Sequence, residues 1–364
     1  MSQQPIPPLA FGSRSATSGT NPAASAMRWA GKADHAGGLP RMLVIAAVGA
    51  FAKMFTSFLN STQVHNAETL HRLVHFRSPG RPLITVSNHM STLDDPLMWG
   101  YKDFPTMNAK LARWVLAAED ICFRNAIYSY LFRLGKCIPI TRGGGIYQEN
   151  MNEALDVLTN GGWLHTFPEG KVCQENIPIR RLKWGTASLI VRAPITPLVL
   201  PIIHCGFEKV MPEKYKFGRR PPFPLINNNI KVIVGEPLEL DVESLRREAK
   251  TMSHESSFRS LGWPEISPDG LGEGAQRWLY STISDQIRSV MEKLRCFGMT
   301  AKKLQVDVTT RGDSVDTGEV IFADETTLRT AAIQMTNHII DGQNISVREL
   351  ALFDVSPEFS EGKP

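Results

Sequence analysis

The chain has 364 residues, 42% of them hydrophobic, enough for one sizeable α/β core and a small appendage. Forty basic residues against 36 acidic ones leave a formal charge of +4, too little for a general nucleic-acid binder but suited to an anionic membrane surface. The five cysteines, Cys122, Cys137, Cys173, Cys205 and Cys296, are scattered, odd in number and lack a CxxC pair, which argues against a zinc site or a disulfide framework; no metal is expected.

Residues 1–41 are rich in Ser, Ala, Gly and Pro and carry Arg14, Arg28, Lys32 and Arg41 against a single acid, Asp34. That composition fits a disordered leader and also a mitochondrial targeting segment. Next comes MLVIAAVGAFAKMFTSFL, from Met42 to Leu59. Its charge-free part ends at Lys53 and offers about 11 residues, or roughly 17 Å of helix, against a bilayer core of about 30 Å. The spacing predicts an interfacial membrane anchor over 42–61 that lies in one leaflet, with Lys53 reaching back to water. A buried amphipathic helix of the fold is the other reading.

Further along, Val64–Phe76 has helical spacing, 82–88 reads as a strand, and Trp114–Ala118 as another strand ending at the acidic pair Glu119 and Asp120. Helix and strand then alternate: helix 125–134, strand 137–140, helix 148–159 and strand 163–167, followed by helix 184–192. Strands through 197–203 and from Lys231 complete an α/β sheet wrapped by helices. The apolar run Pro194–Ile203 is either core strand or a second membrane-contacting surface. Residues 251–275 are turn-rich, and an amphipathic helix is expected from Ala275 to Arg295.

The chemistry concentrates where the strand 82–88 runs into NHMSTLDDP. His89 and Asp94 lie five residues apart on a strand-to-helix turn, with Asp95 as helix cap and Pro96 as first helical residue. There a carboxylate can hold one imidazole nitrogen and leave the other free to take a proton from a hydroxyl, the parts needed for acyl transfer to an alcohol. A loop histidine beside a double cap is the plain alternative for so short a spacing. His165 and His204, on apolar strands, read as buried histidines with satisfied hydrogen bonds.

The block NHMSTLDD resembles the NHxSxxDD block of the glycerolipid acyltransferases, and three further blocks follow in order: CIPITRGGGIYQ from Cys137, WLHTFPEGKV from Trp163 and RLKWG from Arg181. The wording is most similar to the tafazzin subfamily of mitochondrial phospholipid transacylases, over roughly residues 42 to 297. Where that subfamily carries an acidic residue after the motif arginine, this chain has Gly143, Gly144 and Gly145.

The resemblance implies an acyltransferase domain over 62–297 in which His89 and Asp94 are catalytic. Arg142, backed by the glycines and by a helix from Ile146, is implied to seat a phosphate, though by itself it reads as a surface ion pair. Glu169 and Gly170 are implied to meet the glycerol hydroxyls or the phosphate, aided by Arg181; Lys171 and Arg181 read equally well as solvated charges. The implied partners are phospholipids and lysophospholipids at a membrane surface, without cofactor or metal. The implied reaction is acyl transfer independent of coenzyme A, with monolysocardiolipin as acceptor, cardiolipin as product and phosphatidylcholine or phosphatidylethanolamine as donor, on mitochondrial membranes facing the intermembrane space. A coenzyme A-dependent lysophospholipid acyltransferase and a noncatalytic lipid-binding scaffold are the alternatives.

The last sixty residues differ in kind. From LQVDVTT onward, 301–355 resembles the strand-helix-strand second half of an RNA recognition motif. Thr317 and Glu319 stand where stacking aromatics are needed and only Phe322 is kept, so nucleic-acid binding is not expected.

Overall fold

The computed structural model describes residues 27–175, 177–252, 263, 266–267 and 270–300, and the strands 302–309, 315–322 and 344–351. The fold is mixed α/β, as the alternation of patterns predicts. Its centre is β2 (Leu83–Ser87), buried at every position, which is what a run of apolar and β-branched residues with neighbours on both sides should be. On one flank of β2 lie β5 (Trp163–Thr166), β3 (Trp114–Ala118) and the edge strand β4 (Cys137–Ile140). On the other lie β6 (Leu198–Cys205), β7 (Asn229–Val234) and β1 (Ser61–His65). Strands β4, β3, β5, β2 and β6 are parallel; β7 turns antiparallel to β6, and β1 pairs parallel with β7.

Helices cover both faces. Among the described residues these are α1 (Leu39–Lys53), α2 (Ala67–Phe76), α3 (Asp94–Leu97), α4 (Glu119–Cys122), α5 (Ala126–Leu134), α6 (Glu149–Thr159), α7 (Gly185–Arg192), α8 (Phe207–Val210), α9 (Val242–Met252) and α10 (Glu273–Thr300). Alternation along β2 sorts the layers: Ile84 and Val86 join the core beneath α6, α7 and α10, while Leu83 points to the core under α1 and α2. The same period puts Thr85 and Ser87 on the α1 and α2 side, where they meet His165.

Several local expectations change. Residues 64 and 65 are strand, not helix: α2 begins only at Ala67, and the polar sequence STQVH forms an edge strand because β7 supplies a partner. Strand β7 starts two residues before Lys231, α10 runs beyond both ends of the expected 275–295 helix, and α9 was not legible as a helix. Most of the turn-rich stretch 253–269 lies outside the described residues. Within the expected leader, 28–31 and 35–38 form short turns packed on the domain, Arg28 pairing with Glu149 at 3.2 Å and His35 bonding the Tyr130 hydroxyl at 3.0 Å. Residues 1–26 lie outside the described part.

The apolar N-terminal helix is longer than its charge-free stretch. After α1 the helix continues through a π-helical turn, Met54–Phe58, so His35–Phe58 is long and apolar enough to cross a membrane by length and composition. One stripe, Arg41, Ile45, Gly49 and Ala52, is nonetheless buried against the domain. The approach is close: a Cβ on Gly49 would sit 2.7 Å from the Thr106 carbonyl oxygen, and one on Gly100 would sit 2.4 Å from that of Ala52. The opposite stripe exposes Met42, Leu43 and Val48, and Phe58 at the end of the run is 82% exposed.

In the C-terminal part, β8 (Lys302–Thr309) lies between β9 (Val315–Phe322) and β10 (Asn344–Ala351), antiparallel to both. Strand β8 holds the LQVDVT sequence and precedes β9 and β10 in the chain. Residues 323–343, where a helix is expected, lie outside the described part.

Candidate active site

The parallel strands β2, β5, β3 and β4 all end at one edge of the sheet, where an open α/β sheet gathers ligands, and the chain leaves β2 toward one flank and β5 toward the other. His89 stands just past the end of β2. Its Nδ1 is 2.9 Å from Asp94 Oδ2, and that oxygen also accepts from the amides of Met90 at 2.7 Å and Ser91 at 2.9 Å. Asp94 is fully buried, so the carboxylate, fixed by two backbone donors, presents itself to the ring in a single orientation. Holding Nδ1 leaves Nε2 as the nitrogen that can meet a substrate. The ring stacks on Phe167 with centroids 4.1 Å apart.

Glu169 is buried behind this turn, its Oε1 accepting from the His89 amide at 3.1 Å. Burial pushes its carboxyl above the usual range, opposed by hydrogen bonds from the amides of His89 and Arg180 and by the charge of Arg180. Residues 173 and 174 strap the other side: the Cys173 amide donates to the His89 carbonyl at 2.7 Å and the Gln174 side chain to that of Met90 at 2.9 Å. The backbone of the His89 turn is thus held by Glu169, Cys173 and Gln174.

The structure therefore brings together three of the expected residues, His89, Asp94 and Glu169. Gly170 adjoins them at φ +73°, the left-handed geometry glycine suits, but its N–H donates to the Phe167 carbonyl at 3.0 Å and closes the turn. Arg181 is not brought in: its guanidinium lies over the Trp184 ring at 5.2 Å, while its neighbour Arg180 faces Glu169. Arg142 follows β4, three strands from β2, which is about 14 Å at about 4.8 Å per strand. It pairs with Asp120, Nε to Oδ1 at 3.1 Å, both side chains about half exposed or more. The helix expected from Ile146 begins at Glu149, because the Gln148 side chain closes the glycine loop onto Thr141 and Gly145.

Asp95 is not the helix cap the DDP sequence suggests. Its backbone is extended, and its carboxylate takes the Arg113 guanidinium, Nε at 2.9 Å, and the Trp99 indole at 3.0 Å. His165 does make the satisfied contacts expected of it, to Thr85 at 2.8 Å and Ser87 at 3.4 Å; burial, with Arg113 and His204 nearby, pushes it far below its ordinary range and keeps it neutral. His204 does not: it is buried, neither ring nitrogen has a hydrogen-bond partner among the described residues, and Nε2 lies 3.8 Å from Asp94 Oδ2. Arg113, Arg180 and His204 were missed as neighbours of the site. Only long-range pairing places them there.

Residues 61–204, from the start of β1 to His204, match the family model described as Acyltransferase. Over 283 residues the chain is 60% identical to the N-acylphosphatidylethanolamine synthase of Arabidopsis thaliana, covering 76% of this chain and 99% of that relative. It is 41% identical over 201 residues to Tafazzin of Drosophila melanogaster, 54% of this chain and about half (51%) of the fly protein. With Tafazzin of Saccharomyces cerevisiae the identity is 29% over 256 residues, 59% of this chain and 66% of the yeast protein.

Proposed function

The chain belongs to the Acyltransferase family, and on that footing we propose that it moves an acyl chain from a phospholipid to a lysophospholipid, with His89 as the proton carrier. It is an acyltransferase acting on phospholipids. The observation that carries the catalytic reading is the His89–Asp94 contact at 2.9 Å, buried on the Asp94 side and open on the other.

In the first half of the reaction His89 Nε2 takes the proton of the acceptor hydroxyl as its oxygen attacks the ester carbonyl of the donor. Asp94 stabilises the imidazolium that results, and the same nitrogen returns the proton to the departing glycerol oxygen. One ester bond forms and one breaks. The exchange is close to isoenergetic and needs no thioester, so selection falls to the affinities and packing of the lipids. The resemblance to the tafazzin subfamily, with relatives of that name at 41% and 29% identity, implies this coenzyme A-independent route and, with it, monolysocardiolipin as acceptor, cardiolipin as product and mitochondrial membranes as the place. Arg142, released from Asp120, is the candidate seat for the lipid phosphate. The exposed stripe of α1 supports an in-plane attachment to the membrane, since its other stripe is occupied by the domain.

A second reading has its own observation, the 60% identical relative named N-acylphosphatidylethanolamine synthase. There the acceptor is the free amine of phosphatidylethanolamine: its nitrogen attacks the donor's ester carbonyl while His89 takes the N–H proton, the amide C–N bond forms as the ester C–O bond breaks, and His89 returns the proton to the departing glycerol oxygen, giving an N-acyl lipid and a lysophospholipid. The deciding experiment uses liposomes holding a phospholipid with labelled acyl chains, a lysophospholipid and phosphatidylethanolamine, without coenzyme A, beside the His89→Ala variant. Label in the lysophospholipid with wild type alone supports the transacylase. Label in an alkali-resistant amide transfers the case to the second reading. Transfer only after acyl-coenzyme A is added overturns the coenzyme A-independent route, and no transfer under any condition leaves a lipid-binding scaffold.

A further inference from the structure

The loop between α8 and β7 plays no part in the site chemistry, yet it is rooted at the catalytic turn. At its start, the Met211 carbonyl accepts from the Gln174 side chain at 3.1 Å and the Glu213 amide donates to the same side chain at 2.8 Å, while that amide group also holds the carbonyl of Met90, the residue after His89. At its end, the Asn227 amide donates to the Leu59 carbonyl and that of Asn228 to the Asn60 side chain, both at 2.8 Å, tying it to the helical run that finishes with exposed Phe58. Between these roots the chain makes a tight turn, the Tyr215 amide donating to the Arg219 carbonyl at 2.9 Å.

What the turn presents is unusual for a surface facing only water. Phe217, at its tip, is 98% exposed, and Phe223 is 76% exposed. Around them stand Lys214, Lys216, Arg219 and Arg220, all exposed; residues 207–228 hold five cations and two carboxylates, one of which, Glu213, is paired with Arg220 at 2.8 Å. Aromatic rings projecting from a ring of cations are complementary to a bilayer whose phosphates are negative and whose acyl chains lie just beneath them.

We infer that residues 211–228 dock on an anionic bilayer surface, Phe217 and Phe223 entering the acyl-chain boundary while Lys214, Lys216 and Arg219 meet lipid phosphates. Because Gln174 links the root of the loop to Met90, docking brings the His89 turn to the membrane that holds its substrate. That purpose rests on the proposed acyl transfer; the docking itself does not.

The test is vesicle flotation of the full chain, scored by binding and not by turnover, so that failure of docking is separate from failure of the catalytic reading. Vesicles are phosphatidylcholine alone, or with phosphatidylglycerol added. The triple variant Lys214→Ser, Lys216→Ser, Arg219→Ser should lose affinity for the anionic vesicles by about fivefold per cation, on the order of 100-fold in all. The double variant Phe217→Ser, Phe223→Ser should lose binding to both vesicle types. Thermal unfolding midpoints equal to wild type are expected, since all five side chains are exposed. Should a variant unfold early, the salt dependence of wild type decides: release from anionic vesicles on raising salt supports the inference. Variants that float like wild type, or wild-type binding indifferent to lipid charge and salt, would overturn it.

Discussion

Asp94 Oδ2, which meets His89 Nδ1 at 2.9 Å, also lies 3.8 Å from Nε2 of a second buried histidine, His204. That is beyond hydrogen-bond range, but within a buried site it is close enough to act on the carboxylate. Asp94 Oδ1 and both His204 ring nitrogens lack hydrogen-bond partners among the described residues. The His204 backbone is fixed by Asn88, whose side chain exchanges two hydrogen bonds with it at 2.8 and 2.9 Å.

His204→Leu is therefore expected to lower kcat about tenfold with KM unchanged, through a looser Asp94, while His204→Gln keeps a donor near the carboxylate and retains more turnover. Steady-state kinetics of both variants check this. Equal turnover in the leucine variant would reduce His204 to packing.

His89→Ala should cost about 100- to 10,000-fold in turnover with little change in stability. Asp94→Asn should do comparable damage through the wrong imidazole tautomer, and Asp94→Ala should also unfold more easily, because the Met90 and Ser91 amides lose their acceptor at about 1–3 kcal/mol per buried donor. Turnover and chemical denaturation measured on the same preparations separate the two effects. An active His89→Ala variant would remove the proposed mechanism.

The His89–Asp94 pair was legible because it is local: five residues on one turn fix its geometry whatever the rest of the sheet does. Asp95 was misread because its partner, Arg113, is 18 residues away, and a DDP sequence by itself speaks only of capping. Arg181 and Arg180 differ by one position, and which of them faces Glu169 is decided by the path of the 177–181 segment. That path is set by α10, where Glu292 accepts from the Ile179 amide at 2.9 Å and Arg288 donates to its carbonyl at 2.7 Å. The strands β2, β3 and β5 announce themselves by apolar content. The polar β1 owes its form to β7 more than 160 residues later.

Arg142 gives a prediction with two arms. Its guanidinium is held by Asp120, whose carboxyl it keeps below the usual range by hydrogen bond and charge. If Arg142 seats a phosphate, Asp120→Asn frees it and lowers KM, whereas Arg142→Gln raises KM several-fold with kcat little changed. Both pairs of constants, measured at low and moderate salt, test it. A KM insensitive to either change would make the pair a surface ion pair and nothing more.

Lys136 makes stability depend on pH. Its side chain is buried, donates to the Ala112 carbonyl at 2.7 Å, and lies over the Trp114 ring with Arg41 and Arg113 nearby. Burial first, and those two guanidinium groups second, push its pKa down to about 7. The unfolded chain, with an ordinary lysine, then binds the proton more tightly than the folded one. As pH falls from about 10.5 toward 7 only the unfolded state gains the proton, so folding loses about 1.4 kcal/mol per unit, a few kcal/mol in all, and no more below 7. Lys136→Met removes that loss and gives up a hydrogen bond worth about 1 kcal/mol. The variant should therefore be more stable than wild type at pH 7 and equal or slightly less stable near pH 10. Denaturant unfolding of both proteins at the two pH values measures the difference directly. A stability gap that does not change with pH would show that Lys136 keeps its proton throughout this range.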